Sequence, residues 1–204
     1  MTTANSVSNP IADRFVTHEV TNQVPPLAYD AWSTDVVLAE AIEREGGGWA
    51  KEQLSAYGKL TGGELMQLGV EHGVSNFTWR NEDRVGANVA RMGLFYLHCQ
   101  ADAGTACPLT MTNASIPALR HQPELAALWE PRIVANAYEG QLRPASQKPG
   151  VIVGMGMTEK QGGSDVRTNT TQAHSLGTGG PGQPYALVGH KWFFSAPMSD
   201  VFLV

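Results

Sequence analysis

The chain is predicted to be an α+β protein: an N-terminal all-helical domain followed by the beginning of an antiparallel β domain. Three features of the sequence lead there. Apolar residues keep helical spacing through most of the first 140 residues. Gln141–Gly150 then holds two prolines and no hydrophobic period, which marks a boundary. Beyond it, β-branched residues and threonines replace the helical period. Helices first and strands afterwards is α+β organisation. The division is an extended arm at 1–32, a helical domain at 33–150 and the first, incomplete part of a β domain at 151–204.

Residues 1–32 are polar and punctuated by Pro10, Pro25 and Pro26, so an extended arm is expected. Ser33, Thr34 and Asp35 offer cap oxygens for a helix in which Leu38, Ala41, Ile42 and Glu45 keep the spacing. Gly46-Gly47-Gly48 ends it. Residues 49–57 predict a short helix closed by Gly58. Thr61 with Glu64 is a capping-box pattern for a helix reaching about Gly69.

The strongest helical pattern covers 82–102. Asn81 is its expected cap, with Glu82 and Asp83 at the positive end of the dipole. Val85, Val89, Met92 and Tyr96 share one face. Leu94, Phe95 and Leu97 fill the other side, predicting a second half buried all round. Gly104 ends this helix. Another is predicted from Thr112 to about Arg120, and another from Pro123 to Trp129. Pro131 is expected to interrupt, and Ile133–Tyr138 to close the helical set.

In the β part, Val151–Met155, Val166–His174, Tyr185–Val188 and Lys191–Phe194 read as strands. Ser175–Pro184, with four glycines and two prolines, reads as a hairpin tip. Ser199–Val204 stops within a strand pattern, which would leave an unfinished sheet edge. The chain is therefore expected to be the N-terminal part of a larger protein.

Bulk properties exclude several classes. The formal charge is −5, with 14 Lys and Arg against 19 Asp and Glu, so no global charge favours nucleic acid. Cys99 and Cys107 have no metal-ligand spacing and imply reduced thiols. The first residues carry no apolar signal region, and no apolar run reaches the roughly 20 residues of a membrane span. A cytoplasmic protein without a metal site or membrane association is expected.

The chemistry concentrates in two stretches. Gly154-Met155-Gly156-Met157-Thr158 leads into Glu159-Lys160-Gln161-Gly162-Gly163-Ser164-Asp165, a loop rich in backbone N–H groups and hydroxyls. His190-Lys191-Trp192-Phe193-Phe194-Ser195 adds an aromatic wall and a further hydroxyl. Polar donors beside aromatic side chains suit a planar heteroaromatic cofactor carrying phosphates.

These stretches resemble the flavin site of acyl-CoA dehydrogenases, with Lys160 where most of that family has proline. The string MGMTEKQGGSDV, with Glu45-Gly46-Gly47-Gly48-Trp49 and Gly104–Thr112, is similar to the AidB-like branch, tied to the adaptive response to alkylating agents. The resemblance covers about residues 17–204. It implies FAD, held by Met155, Gly156, Met157, Thr158, Gly163, Ser164, Phe193, Phe194 and Ser195. Thr158 would lie near a pyrimidine-ring acceptor, and Gly163 and Ser164 on the pyrophosphate side. Ser164 would also border the substrate. Phe193 stands where most relatives carry tryptophan, and Ser195 where they carry threonine, within reach of flavin N5.

The family abstracts the α-proton of an acyl thioester with a glutamate of a later helical domain. No residue here corresponds to it, so no catalytic residue is assigned and the chain alone is expected not to turn over. The implied partners are acyl-CoA or a related substrate and, in the full-length protein, a homotetramer. Two functions compete: acyl-CoA dehydrogenation, and AidB-type DNA binding that protects against alkylation with weak dehydrogenase activity. Strand alternation would give Trp192 and Phe194 to core packing and leave Phe193 and Ser195 on the opposite face. His190 reads as a surface or structural histidine, Lys160 as a solvated loop lysine, and Cys107 as a buried helix-end thiol.

Overall fold

The computed structural model describes residues 36–52, 54 and 65–204. The expected arm at 1–32, the caps at 33–35, Gly58 and the Thr61–Glu64 capping box lie outside the described residues. The helices are α1 (Val36–Arg44), α2 (Leu65–Glu71), α3 (Phe77–Arg80), α4 (Ala87–Ala101), α5 (Ala106–Leu119) and α6 (Pro123–Ile133). The strands are β1 (Val153–Met155), β2 (Gln172–Ser175), β3 (Tyr185–Val188) and β4 (Val201–Leu203). The order is helices first and then strands. Among the described residues no helix is long and apolar enough to cross a membrane.

The helix α1 ends where expected. Gly46 takes φ 84°, and the Gly47 N–H donates to the Ile42 carbonyl at 2.8 Å. This glycine turn meets the start of α4. Gly86 has φ 82°, and a methyl group there would collide with the Gly46 carbonyl. Glycine is required at Gly86 twice over, by conformation and by the close approach of two backbones.

Gly86 also corrects the strongest helical expectation. The left-handed residue cannot continue a helix, so α4 starts at Ala87 and residues 81–86 form turns. Asn81 instead follows α3, donating through its side chain to the Phe77 carbonyl at 2.8 Å. Val85, at 86% exposed, and Met92 and Tyr96 face outward. The buried face is Ala87, Ala90, Arg91, Gly93, Leu94, Leu97 and His98, so the second half is not buried all round.

The helix α5 starts six residues before the expected Thr112. The Asp102 carboxylate fixes the turn that leads into it, accepting from the Gly104 N–H at 3.0 Å, the Thr105 N–H at 2.8 Å and the Thr105 hydroxyl at 2.7 Å. The buried His98 ring stands 2.8 Å from the same hydroxyl. Because that hydroxyl donates to Asp102, it accepts from His98 Nε2–H. Burial holds the His98 pKa below its ordinary value, although Asp102 opposes the shift. Cys107, in the first turn, is exposed rather than buried.

Two prolines lie inside helices, of which only Pro131 is expected to interrupt. Pro117 lies inside α5, where its missing N–H leaves the Asn113 carbonyl without its helical donor. Trp79 Nε1 donates to that carbonyl at 2.8 Å. The helix α6 likewise runs through Pro131 to Ile133, and the Val134 N–H still reaches the Glu130 carbonyl at 2.9 Å. The expected Ile133–Tyr138 helix does not form; Ile133 ends α6, and the Ala135 carbonyl accepts from Asn76 Nδ2.

Two apolar clusters make the core. Ile42, Leu54, Met66, Val70, Val74, Leu94, Leu97 and Leu109 anchor the first, joined by Ile152. Ile116, Leu119, Ile133, Val151 and Val153 anchor the second. Val151–Val153 therefore packs on the helices and carries the β part with it.

The strands form two pairs. The β2–β3 pair is antiparallel, as expected, from Gln172 opposite Val188 to Ser175 opposite Tyr185. The β1–β4 pair is parallel, with Val153, Gly154 and Met155 opposite Val201, Phe202 and Leu203. The expected strand at 166–174 divides: Asp165 caps a 3-10 turn at Val166–Thr168, and β2 begins at Gln172. Lys191–Phe194 is not a strand. Only Lys191 bridges, to Glu159, and Phe193 has φ 53°.

Candidate functional site

Two loops carry the expected site residues, and the structure sets them side by side. The first leaves β1 through Gly156, whose N–H donates to the Leu203 carbonyl at 2.8 Å. A methyl group on Gly156 would collide with the Phe194 ring, and one on Gly154 with the Phe202 ring. The two rings pack together with centroids 4.6 Å apart. The glycines thus form a groove in the strand backbone that receives aromatic side chains from two later segments.

Further along, the Trp192 N–H donates to the Thr158 carbonyl at 2.9 Å. Glu159 pairs by backbone with both Gly162 and Lys191. Its side chain, at 2% exposed, accepts from the Thr170 N–H at 2.6 Å, the Thr170 hydroxyl at 3.0 Å, the Thr171 N–H at 3.0 Å and Lys191 Nζ at 3.1 Å. Bonds from Thr171 and Thr170, with the Lys191 ammonium behind them, hold this carboxyl well below the usual carboxylate range. Asn169 Nδ2 donates to the Met157 carbonyl at 2.7 Å. The first loop is thereby tied to residues 169–171 and to the second loop.

Each expected residue can now be placed. Met155 ends β1 opposite Leu203, half-buried, and Gly156 is buried beneath Phe194. Met157 is exposed. A methyl group on Gly163 would lie 2.7 Å from Thr158 Oγ1, so these two residues touch. Ser164 and Ser195 are exposed. Among the described residues, none bonds to the Thr158, Ser164 or Ser195 hydroxyls. Phe193 is 80% exposed in its left-handed conformation. Gly156 thus meets Phe194 across the two loops and Thr158 meets Gly163 within the first, and Ser164, Phe193 and Ser195 stand open on the same two loops.

The alternation argument for the aromatic residues fails because this segment is not a strand. Trp192 is exposed, 5.6 Å from the His190 ring and 6.2 Å from the Phe193 ring, and is not core. Phe194 alone packs inward, against Gly156 and Phe202. His190 and Lys160 are exposed, as expected.

Glu159, Lys191, Asn169 and Thr170 organise these loops and were not singled out as site residues. Opposite charges in the first and second stretches were the available signal. Nothing in the sequence joined them, because the threonine donors come from a third segment.

The chain matches the family described as the adaptive response protein AidB N-terminal domain over residues 22–64 and 63–140. It is 38% identical over 227 residues to AidB of Escherichia coli (strain K12), covering 92% of this chain and 41% of that protein. It is 30% identical over 144 residues to acyl-CoA dehydrogenase family member 11 of Caenorhabditis elegans, covering 69% and 22%. The chain spans about two fifths of AidB and about one fifth of the nematode protein. Among solved structures it is similar in fold to Bd2924 in its apo form, with TM-score 0.65 and 22% identity over 87% of this chain and 42% of that one. It is also similar to C. elegans ACDH-11 in complex with C11-CoA, with TM-score 0.62 and 18% identity over 86% and 35%.

Proposed function

Because the chain belongs to the AidB-like branch of the acyl-CoA dehydrogenase family, we propose that its two neighbouring loops hold FAD for oxidation of an acyl-CoA thioester. The residues assigned are Met155, Gly156, Met157, Thr158, Gly163, Ser164, Phe193, Phe194 and Ser195. One observation carries the reading: the Thr158–Trp192 and Gly156–Phe194 contacts put both loops side by side.

The residues suit the cofactor chemically. Three hydroxyls without partners among the described residues stand on the same loops as the uncovered apolar surface of Met157, Trp192 and Phe193. Donors beside exposed aromatic surface are what a flat, hydrogen-bonding ring system would cover. When bound, FAD supplies the acceptor for a hydride leaving the substrate carbon.

In this reading, the Thr158 and Ser195 hydroxyls orient the ring system by donating hydrogen bonds. Backbone N–H groups at Gly163 and Ser164 would hold the phosphates. Phe193 would exclude water from one side, and Phe194 would hold its loop against Gly156. Glu159 is no candidate for the proton-abstracting base. Four donors occupy its oxygens, and its acidity is too great for a base at neutral pH. No catalytic base is assigned within this chain.

Acyl-CoA is the substrate class proposed, in keeping with the C11-CoA named for ACDH-11. Absorption spectroscopy of the purified protein tests the reading. A bound-flavin spectrum that weakens in Ser195→Ala is expected; a colourless protein that takes up no added FAD contradicts it.

A second reading, DNA binding in an alkylation response, draws on the adaptive-response description of the matching family. The net charge of −5 stands against it for this part of the molecule. Affinity for DNA that falls steeply with salt would support it.

A further inference from the structure

We infer that Glu159 is a positioning residue: its carboxylate, paired with Lys191, sets the register between the two loops assigned to FAD. The inference rests on the FAD reading for its functional meaning. Its geometric basis is independent.

Glu159 follows Thr158 directly in the chain, and Lys191 precedes Ser195 by four residues. Backbone pairing between Glu159 and Lys191 and the ion pair between their side chains act on the same two positions. An ammonium 14% exposed and a carboxylate 2% exposed face each other at 3.1 Å. The carboxylate is shut off from bulk water and the ammonium is largely covered, so losing one partner leaves the other short of its counter-charge. The remaining carboxylate lone pairs go to Thr170 and Thr171, which lead into β2. One buried group therefore joins three segments, two of which carry the cofactor-facing hydroxyls. A surface lysine–glutamate pair would leave the loops free to slide; a buried carboxylate with four donors does not.

The second loop needs such a hold. It contains two non-glycine residues in left-handed conformation, Phe193 at φ 53° and Ala196 at φ 54°. Residues in that region persist where surrounding contacts over-determine them.

The test compares wild type with Glu159→Gln and with Glu159→Gln/Lys191→Met, which removes the lysine that the first change strands. FAD dissociation constants are measured by flavin fluorescence quenching, and amide hydrogen exchange over 190–196 is measured without FAD. The dissociation constant is expected to rise at least about tenfold in both variants. The double variant should regain thermal stability relative to the single one without regaining affinity. Exchange over 190–196 should quicken in both. Wild-type affinity in the double variant, or an affinity that merely follows thermal stability across the series, would overturn the inference. If wild type binds no FAD, the cofactor reading fails; unchanged exchange over 190–196 would then still overturn the positioning role, and quickened exchange would support it.

Discussion

The Thr112 hydroxyl in the middle of α5 accepts the Val153 N–H at 3.0 Å and donates to the Pro108 carbonyl at 2.8 Å. A helix side chain thus takes the place of a neighbouring strand at one edge of β1. The helical and β parts are bonded together there, where Val151 and Val153 also pack on Ile116 and Ile133.

Thr112→Val keeps the volume and removes both bonds, leaving a buried N–H without a partner. It should cost about 1–3 kcal/mol, read from the midpoint of urea unfolding. An unchanged midpoint would show that β1 does not depend on this bond.

Gly156→Ala should displace the Phe194 ring, since no rotation of a methyl group relieves the collision. Overpacking of this kind costs about 1–3 kcal/mol. In the FAD reading it also weakens cofactor binding. Adding Phe194→Ala to Gly156→Ala should recover stability without recovering affinity.

Acid should destabilise the protein in two stages. His98 is held below its ordinary value of 6.5, so the unfolded chain binds its proton first. Its contribution is complete above about pH 6.5 and is lost as pH falls from there through the folded value. Glu159 is depressed below its ordinary 4.5, so its contribution is complete above that and is lost as pH falls further. Burial pulls Asp102 upward, but the bonds from Thr105 and Gly104 outweigh it, and it joins the second stage. The urea midpoint against pH should show both declines, and His98→Gln should remove the upper one.

Trp79→Phe should expose the weakness that Pro117 leaves in α5. Without the indole N–H, the Asn113 carbonyl has neither its helical donor nor its substitute. A loss of about 0.5–1.5 kcal/mol is expected. The double variant Trp79→Phe/Pro117→Ala should lose less, because alanine restores the N–H.

Fold class was legible because it depends on the order of two periodicities, and the change of period at 141–150 falls between the last helix and β1. Helix boundaries were less so. The start of α4 turns on a left-handed Gly86 pressed against Gly46, forty residues earlier, and no local pattern announces that contact. The helix is expected to run through Pro117, but the donor that replaces its missing N–H comes from Trp79 on another helix and is not visible locally. Two charged residues were visible as Glu159 and Lys191, yet their meaning depends on burial and on threonines in a third segment. The aromatic run at 192–194 misled for a local reason: alternation presumes a strand, and Phe193 leaves extended geometry altogether.

The most direct measurement is an equilibrium titration of FAD into the protein, followed by flavin fluorescence, for wild type and for Thr158→Val/Ser195→Ala. Saturable quenching in wild type, and a dissociation constant raised at least about tenfold in a variant that keeps its unfolding midpoint, is the predicted result. Equal affinities in the two proteins, or no saturable quenching in wild type, would contradict the assignment of these loops to the flavin.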